Sequence, residues 1–279
     1  MRTATLGRPV QFRSSIGAAG NDQALDILHT AAIAAGFDSV DFLEEPAAAA
    51  MHYHAESAQE HDAVVVDIGG GTTDVAHARV GGTQPPKIHR AWGIARGGTD
   101  IDLALSLGAY MPLFGRGQSR VPAHHYVEAA MVQDMTRQRD FRQHDYREVD
   151  APWGKRLQAL QDTGNTARLY REVERCKIAL SSAPEHASTL AFIERDLNVA
   201  VDRSRLEGAA GGYLSELTTL LEQVRADIGH DPAAVFLTGG MSRAGYLQAA
   251  VAAAFPGATL VRGNPSFGVV HGLAWAAAV

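Results

Sequence analysis

With 279 residues, 46% of them hydrophobic and 20% charged, the chain has the composition of a globular protein, long enough for one large or two smaller α/β units. A net charge of −6 argues against a general nucleic-acid or anionic-membrane surface, and a single cysteine, Cys176, excludes a disulfide framework and suits a reducing cytoplasm. The opening MRTATLGRPVQF lacks the apolar centre of a signal peptide and no apolar run is long enough to span a bilayer, so a soluble cytoplasmic protein is expected.

Residues 21–36 are predicted to be helical: Asn21 suits an N-cap, Leu25, Leu28, Ala32 and Ala35 share one face, and Gly36 ends it. VDFL at 40–43 reads as a short strand, and EEPAAAAMHYHA places Pro46 in the first turn of the next helix. VVVDIGGGTTDVAHARV, residues 64–80, reads as a strand, a glycine turn and a second strand. KIHRAWGIA supplies another strand, and IDLALSLG turns helical after RGGTD.

Residues 112–165 change character, with many Arg, His, Gln and Asp, and are expected to form a partly helical, exposed insertion. TARLYREVERCKIALSS (166–182) has helical periodicity, STLAFIE and LNVAV look like a hairpin, and 203–228 is a long helix burying Leu206, Tyr213, Leu217, Leu220 and Val224. AVFLTGG as a strand, a helix over 243–254, ATLV as a strand and the closing helix SFGVVHGLAWAAAV complete the chain. Alternating strands and helices argue an α/β architecture.

Three consecutive glycines cost folding entropy, but they let peptide N–H groups approach a phosphate with no Cβ in the way. Asp67, at the end of the first strand, is placed to hold a magnesium ion or its waters. Thr72 and Thr73 add hydroxyls, and Asp74 a second carboxylate that a plain hairpin does not need. VFLTGGMSR and RGGTDID repeat the strand–glycine–helix pattern, with Gly239, Gly240, Ser242 and Arg243 in the first and Gly98 in the second. Glu174, Lys177 and Ser181 fall on one helical stripe, which on a surface helix is usually a solvated face. Glu45 is either a general base or a complement to a helix N-terminus. His52 and His54 diverge on a helix, and His124 and His125 likewise make a poor metal pair.

Taken in order, FLEEPAAAA, DIGGGTTDV, RGGTDID, ERCKIALSS and FLTGGMSR resemble the nucleotide-binding domain of the DnaK-type chaperones, the heat-shock protein 70 family, over roughly residues 5–279. The polar insert and the ending FGVVHGLAWAAA look like its YegD-type divergent branch. The resemblance implies an actin-like ATPase (ribonuclease H-like) fold: residues 1–58 as part of a first lobe, 59–98 with 201–279 as the core of the second, and 99–200 as its insert. It implies ATP or ADP with Mg²⁺ as cofactors, Glu45 orienting water, and Asp67 binding magnesium, with Asp74 as a further candidate metal ligand. Gly69, Gly70, Gly71 and Thr72 would cradle phosphates near Gly98, while Glu174, Lys177, Ser181, Gly239, Gly240 and Arg243 hold the adenosine.

Three positions depart from the family: Ile178 stands for an arginine, Met241 for a serine and Thr99 for an acidic residue. Nothing in residues 1–44 resembles the family's first phosphate hairpin, and SSIGAAGND is the nearest stretch. The expectation is therefore a chain missing the first strands and a lysine of lobe one, with an exposed sheet edge and weak or absent ATP hydrolysis. Client proteins and co-chaperones are the implied partners beside nucleotide. Two rival readings are a non-catalytic, nucleotide-dependent interaction module working through 112–165, and a filament-forming actin-fold protein sharing DIGGGTT.

Overall fold

The computed structural model describes residues 2–12, 17–263 and 267–278. The chain forms two compact units, Met1–Gly98 joined with Tyr213–Val279, and Thr99–Gly212.

The first unit opens with β1 (Thr3–Arg8), α1 (Gly17–Ala34), β2 (Ser39–Glu44) and α2 (Glu45–Glu56). β1 and β2 run parallel as a pair and, among the described residues, take no third strand. Helix α1 starts earlier than predicted because Asn21 is not its cap: the Asn21 Oδ1 accepts the Phe12 N–H at 3.1 Å. Of its predicted inward face only Ala32 is buried, and Ile27 and Ile33 are exposed, as is Phe37 just beyond it.

The main sheet follows: β3 (His61–Ile68), β4 (Thr73–Val80) and β5 (Lys87–Ile94), then β8 (Ala234–Thr238) and β9 (Thr259–Arg262) from the far end of the chain. Its order is β5-β4-β3-β8-β9, with β3, β4 and β5 an antiparallel meander and β8 and β9 parallel to β3. β3 is central, which explains its unbroken burial from Ala63 to Ile68.

Helix α2 and the last helix, α10 (Gly268–Ala276), pack together over this sheet. Ala49, Ala50 and Tyr53 meet Ala63, Val65, Ala78, Val80 and Phe236, with the Tyr53 and Phe236 rings stacked at 4.5 Å. Gly272 allows the helices this approach, since a Cβ there would fall 1.8 Å from the Ala48 carbonyl oxygen. Ser266 and Val279, the predicted ends of this helix, lie outside the described residues.

The second unit comprises most of α3 (Gly98–Leu105), a π-turn and a 3-10 turn through Phe114, α4 (Ala123–Ala130), α5 (Met135–Gln143), α6 (Trp153–Gln161), α7 (Asn165–Leu180), the hairpin β6 (Glu185–Thr189) and β7 (Asn198–Asp202), and the start of α8 (Arg203–Ile228). The exposed insertion expected over 112–165 is instead a packed helical body burying Phe114, Tyr126, Phe141, Tyr146, Leu157 and Leu160. Its polar residues tie turns together from inside. Gln138 donates to the Glu128 carbonyl and accepts from the Thr166 hydroxyl, while Gln161 donates to the carbonyls of Phe141 and His144.

The first strand of the hairpin lies earlier than predicted and the second where expected to within a residue; the Leu190 N–H to the Leu197 carbonyl at 2.7 Å closes the hairpin, so Phe192 falls in its turn. In α8 all five predicted inward residues are buried. The helix α9 (Gly245–Ala254) begins two residues after Arg243, because Met241–Ala244 form a separate turn. Among the described residues no helix is long and apolar enough to cross a membrane.

Candidate functional site

The β3–β4 turn carries the densest chemistry of the first unit. The register sets Asp67 opposite Asp74 and, on the other side, beside Thr238. The Gly69 N–H donates to the Thr72 carbonyl at 2.9 Å and so closes the turn. None of Gly69, Gly70 and Gly71 lies in the left-handed region, so the backbone path does not require glycine there. Close approach requires glycine at Gly97 instead. A Cβ on Gly97 would sit 2.7 Å from the carbonyl oxygens of both Gly69 and Gly70, and the Gly98 N–H donates to the Gly69 carbonyl at 3.0 Å.

Beneath the turn, the Thr73 hydroxyl donates to the Arg96 carbonyl at 2.9 Å and pairs with the Tyr213 hydroxyl at 2.7 Å. The loop after β8 closes over the same place. Gly239 has φ +86°, and a Cβ there would meet Asp67 Oδ1 at 2.3 Å and the Ile68 carbonyl at 2.4 Å. The Met241 N–H donates to that Ile68 carbonyl, Ser242 is buried, and Gly240 and Arg243 are exposed.

Three raised carboxylates lie here. Asp67 is 7% exposed and Asp74 1%. Burial, reinforced by the charge of Glu45, pushes Asp67 up to about 7. Burial likewise pushes Asp74 up to about 7, against the Val10 N–H and Thr72 hydroxyl that hydrogen-bond it and with help from the charges of Glu45 and Asp67. The Val10 N–H reaches Asp74 Oδ1 at 2.7 Å. Glu45, first residue of α2 and close to Gly7, is also raised by burial.

Buried acids that destabilise one another's ionised forms favour a cation, and all the donors are hard oxygens, the set that Mg²⁺ prefers. Asp67 and Asp74 therefore fit a magnesium ion or its waters. Thr72, half-exposed at the mouth of the turn, lies within reach of Asp74.

In the second unit, Lys177 is committed elsewhere: its Nζ donates to Asp102 Oδ2 at 2.7 Å, with both side chains almost wholly buried. Burial still raises Asp102 above the usual carboxylate range, more strongly than the Lys177 charge lowers it. The Ser181 hydroxyl donates back to the Lys177 carbonyl at 3.2 Å, Glu174 is half-buried, and Ile178 stands 62% exposed.

The structure thus gathers Glu45, Asp67, Asp74, Gly69, Gly70, Gly71, Thr72, Thr73, Gly98, Gly239 and Gly240 within the first unit. It sets Glu174, Lys177 and Ser181 on α7 of the second. Sequence reasoning missed Gly97, Val10, Tyr213 and Asp102. For Gly97 and Asp102 the signal was there, since both lie within ARGGTDID beside residues that were singled out.

The profile of the Hsp70 protein family matches residues 20–107 and 140–279. Chaperone protein DnaK of Cenarchaeum symbiosum (strain A) is 25% identical over 251 residues, covering 86% of this chain and 32% of that protein. Chaperone protein DnaK of Thermosipho melanesiensis is 27% identical over 269 residues, covering 93% and 39%. The Chaperone protein HscA homolog of Shewanella amazonensis is 25% identical over 242 residues, covering 86% and 32%. The chain spans about a third of the length of these relatives.

Proposed function

The chain belongs to the Hsp70 protein family, with its actin-like ATPase fold, and from that premise we propose that the β3–β4 turn binds the phosphates of ATP or ADP together with Mg²⁺. The observation that carries this reading is the trio of raised carboxylates, Glu45, Asp67 and Asp74, beside a turn whose glycines the backbone path does not demand. Gly69 spends its amide closing the turn, so the amides of Gly70, Gly71 and Thr72 are assigned to the phosphates. Asp67 and Asp74 hold the cation or its waters, and Glu45 orients a water for attack on the terminal phosphate. Gly239 and Gly240 shape the neighbouring loop, and Arg243 extends from it. Chaperone action on client proteins in a cytoplasmic setting belongs to the same proposal, and the relatives' names support its chaperone part.

Calorimetry of the purified chain with Mg·ATP and Mg·ADP tests the site. One nucleotide per chain is expected, with affinity reduced at least tenfold by Asp67→Ala or Gly70→Val. A folded protein that gives no heat and displaces no fluorescent nucleotide would overturn the assignment. The second unit is checked by itself: Glu174→Ala and Ser181→Ala should weaken adenosine binding if these residues take the roles that the resemblance implies.

A further inference from the structure

The second unit brings together three histidines that adjacency in the sequence had made a poor metal set. His124 and His125 occupy the first turn of α4, and His144 is the residue at which α5 ends. One ligand nitrogen from each lies within 4.8 Å of the other two, the only such group of metal-ligating side chains found among the described residues. The fault of a neighbouring pair on a helix is corrected by a third imidazole arriving from another helix. His125 and His144 stack with ring centroids 3.4 Å apart, and His124 meets the His125 ring edge-on at 4.5 Å.

The surroundings are those of ligands held in place. Glu128, one helical turn along α4, accepts a hydrogen bond from His144 Nε2 at 2.6 Å, and its side chain is only 13% exposed. The Tyr146 hydroxyl lies 3.2 Å from His125 Nδ1. Gln161 pins the His144 carbonyl and Gln138 pins that of Glu128, so both backbones are anchored by buried or half-buried amides. A cavity of about 410 Å³, lined by His125, Tyr146, Pro122 and Asp145 among others, opens beside the cluster and gives an ion a way in.

We propose that His124, His125 and His144 form a binding site for a borderline divalent transition-metal ion, Zn²⁺ or Ni²⁺, distinct from the carboxylate site of the first unit. Imidazole nitrogen suits these ions and not Mg²⁺. His144 donates its Nε2–H to Glu128 and ligates through Nδ1, the carboxylate–histidine–metal arrangement that fixes a tautomer and raises ligand basicity. His125 keeps Nδ1 for Tyr146 and ligates through Nε2, and water completes the tetrahedron. Lone pairs lie in the ring plane, so the stacked rings of His125 and His144 tilt apart as the ion enters. The bound metal clips the start of α4 to the end of α5.

The test uses the full chain, stripped with chelator and held in excess Mg²⁺ so that oxygen sites are satisfied. Zn²⁺ alone is then titrated by calorimetry, and ¹⁵N resonances of the histidine side chains are followed in parallel. One equivalent of Zn²⁺ is expected, with the largest shifts on His124, His125 and His144. His125→Asn and His144→Asn should each weaken binding at least tenfold, and Glu128→Gln by about ten- to a hundredfold. Absence of Zn²⁺ uptake would overturn the proposal. So would shifts confined to other histidines, a readout that needs no variant to fold.

Discussion

The raised acids of the β3–β4 turn should make the protein less stable as pH rises, and Asp67→Asn isolates the effect. Lifting a carboxyl from 3.8 to about 7 costs its ionised form about 4 kcal/mol in the folded state. The sign follows from proton counting. Between those two values the folded protein keeps a proton that the unfolded chain has released, so stability is fully present below pH 3.8 and is lost as pH climbs through 7. An amide in place of the carboxyl cannot ionise and escapes that loss. With both side chains nearly sealed from solvent, little of the effect should be screened, and about 4 kcal/mol is the upper bound because water entry relaxes a charged site. Urea unfolding in chelator at pH 5 and pH 8.5 is the assay. The variant should exceed the parent by no more than about 1.6 kcal/mol at pH 5 and by roughly 2–4 kcal/mol at pH 8.5. Millimolar Mg²⁺ should erase most of the difference by stabilising only the parent. Equal stability changes at both pH values, or a destabilised variant at pH 8.5, would refute the electrostatic account of the site.

Gly239→Ala forces a Cβ to within 2.3 Å of Asp67 Oδ1 at φ +86°, and should cost about 2–4 kcal/mol in urea unfolding while weakening Mg·nucleotide binding. Lys177→Met leaves Asp102 buried and unpaired, which should cost about 3–5 kcal/mol, growing with pH as the carboxyl ionises. The double change Lys177→Met with Asp102→Leu should restore most of that loss, and failure to do so would mean the pair is not the operative contact. Gly272→Ala, in the closest approach of α10 to α2, should lower the melting temperature through about 1–3 kcal/mol of overpacking. Gly108→Ala, with nothing near its Cβ, is the control.

What could be read from the sequence, and what could not, divides by the range of the interaction involved. The Val64–Val66 run, the glycines after Asp67 and the proline opening α2 each act within a few residues, and the strand, turn and helix they announce are present. The α8 face was equally plain, because Leu206, Tyr213, Leu217, Leu220 and Val224 repeat at helical spacing and are all buried. The polar insertion misled for the opposite reason. Residues such as Gln138, Gln161 and Asn165 look like solvent-facing side chains until their partners, carbonyls on other turns, are known. Lys177 is the sharpest case: on its own helix it completes a stripe with Glu174 and Ser181, and only the arrival of Asp102 from 75 residues away commits its charge to a buried pair. His144 works the same way for His124 and His125. A local pattern therefore reports which residue types are available, while the non-local partner decides what each one does. The glycine turn was readable because its glycines, Asp67, Thr72 and Asp74 all lie within one hairpin, and the histidine cluster was not because its third member had to come from another helix.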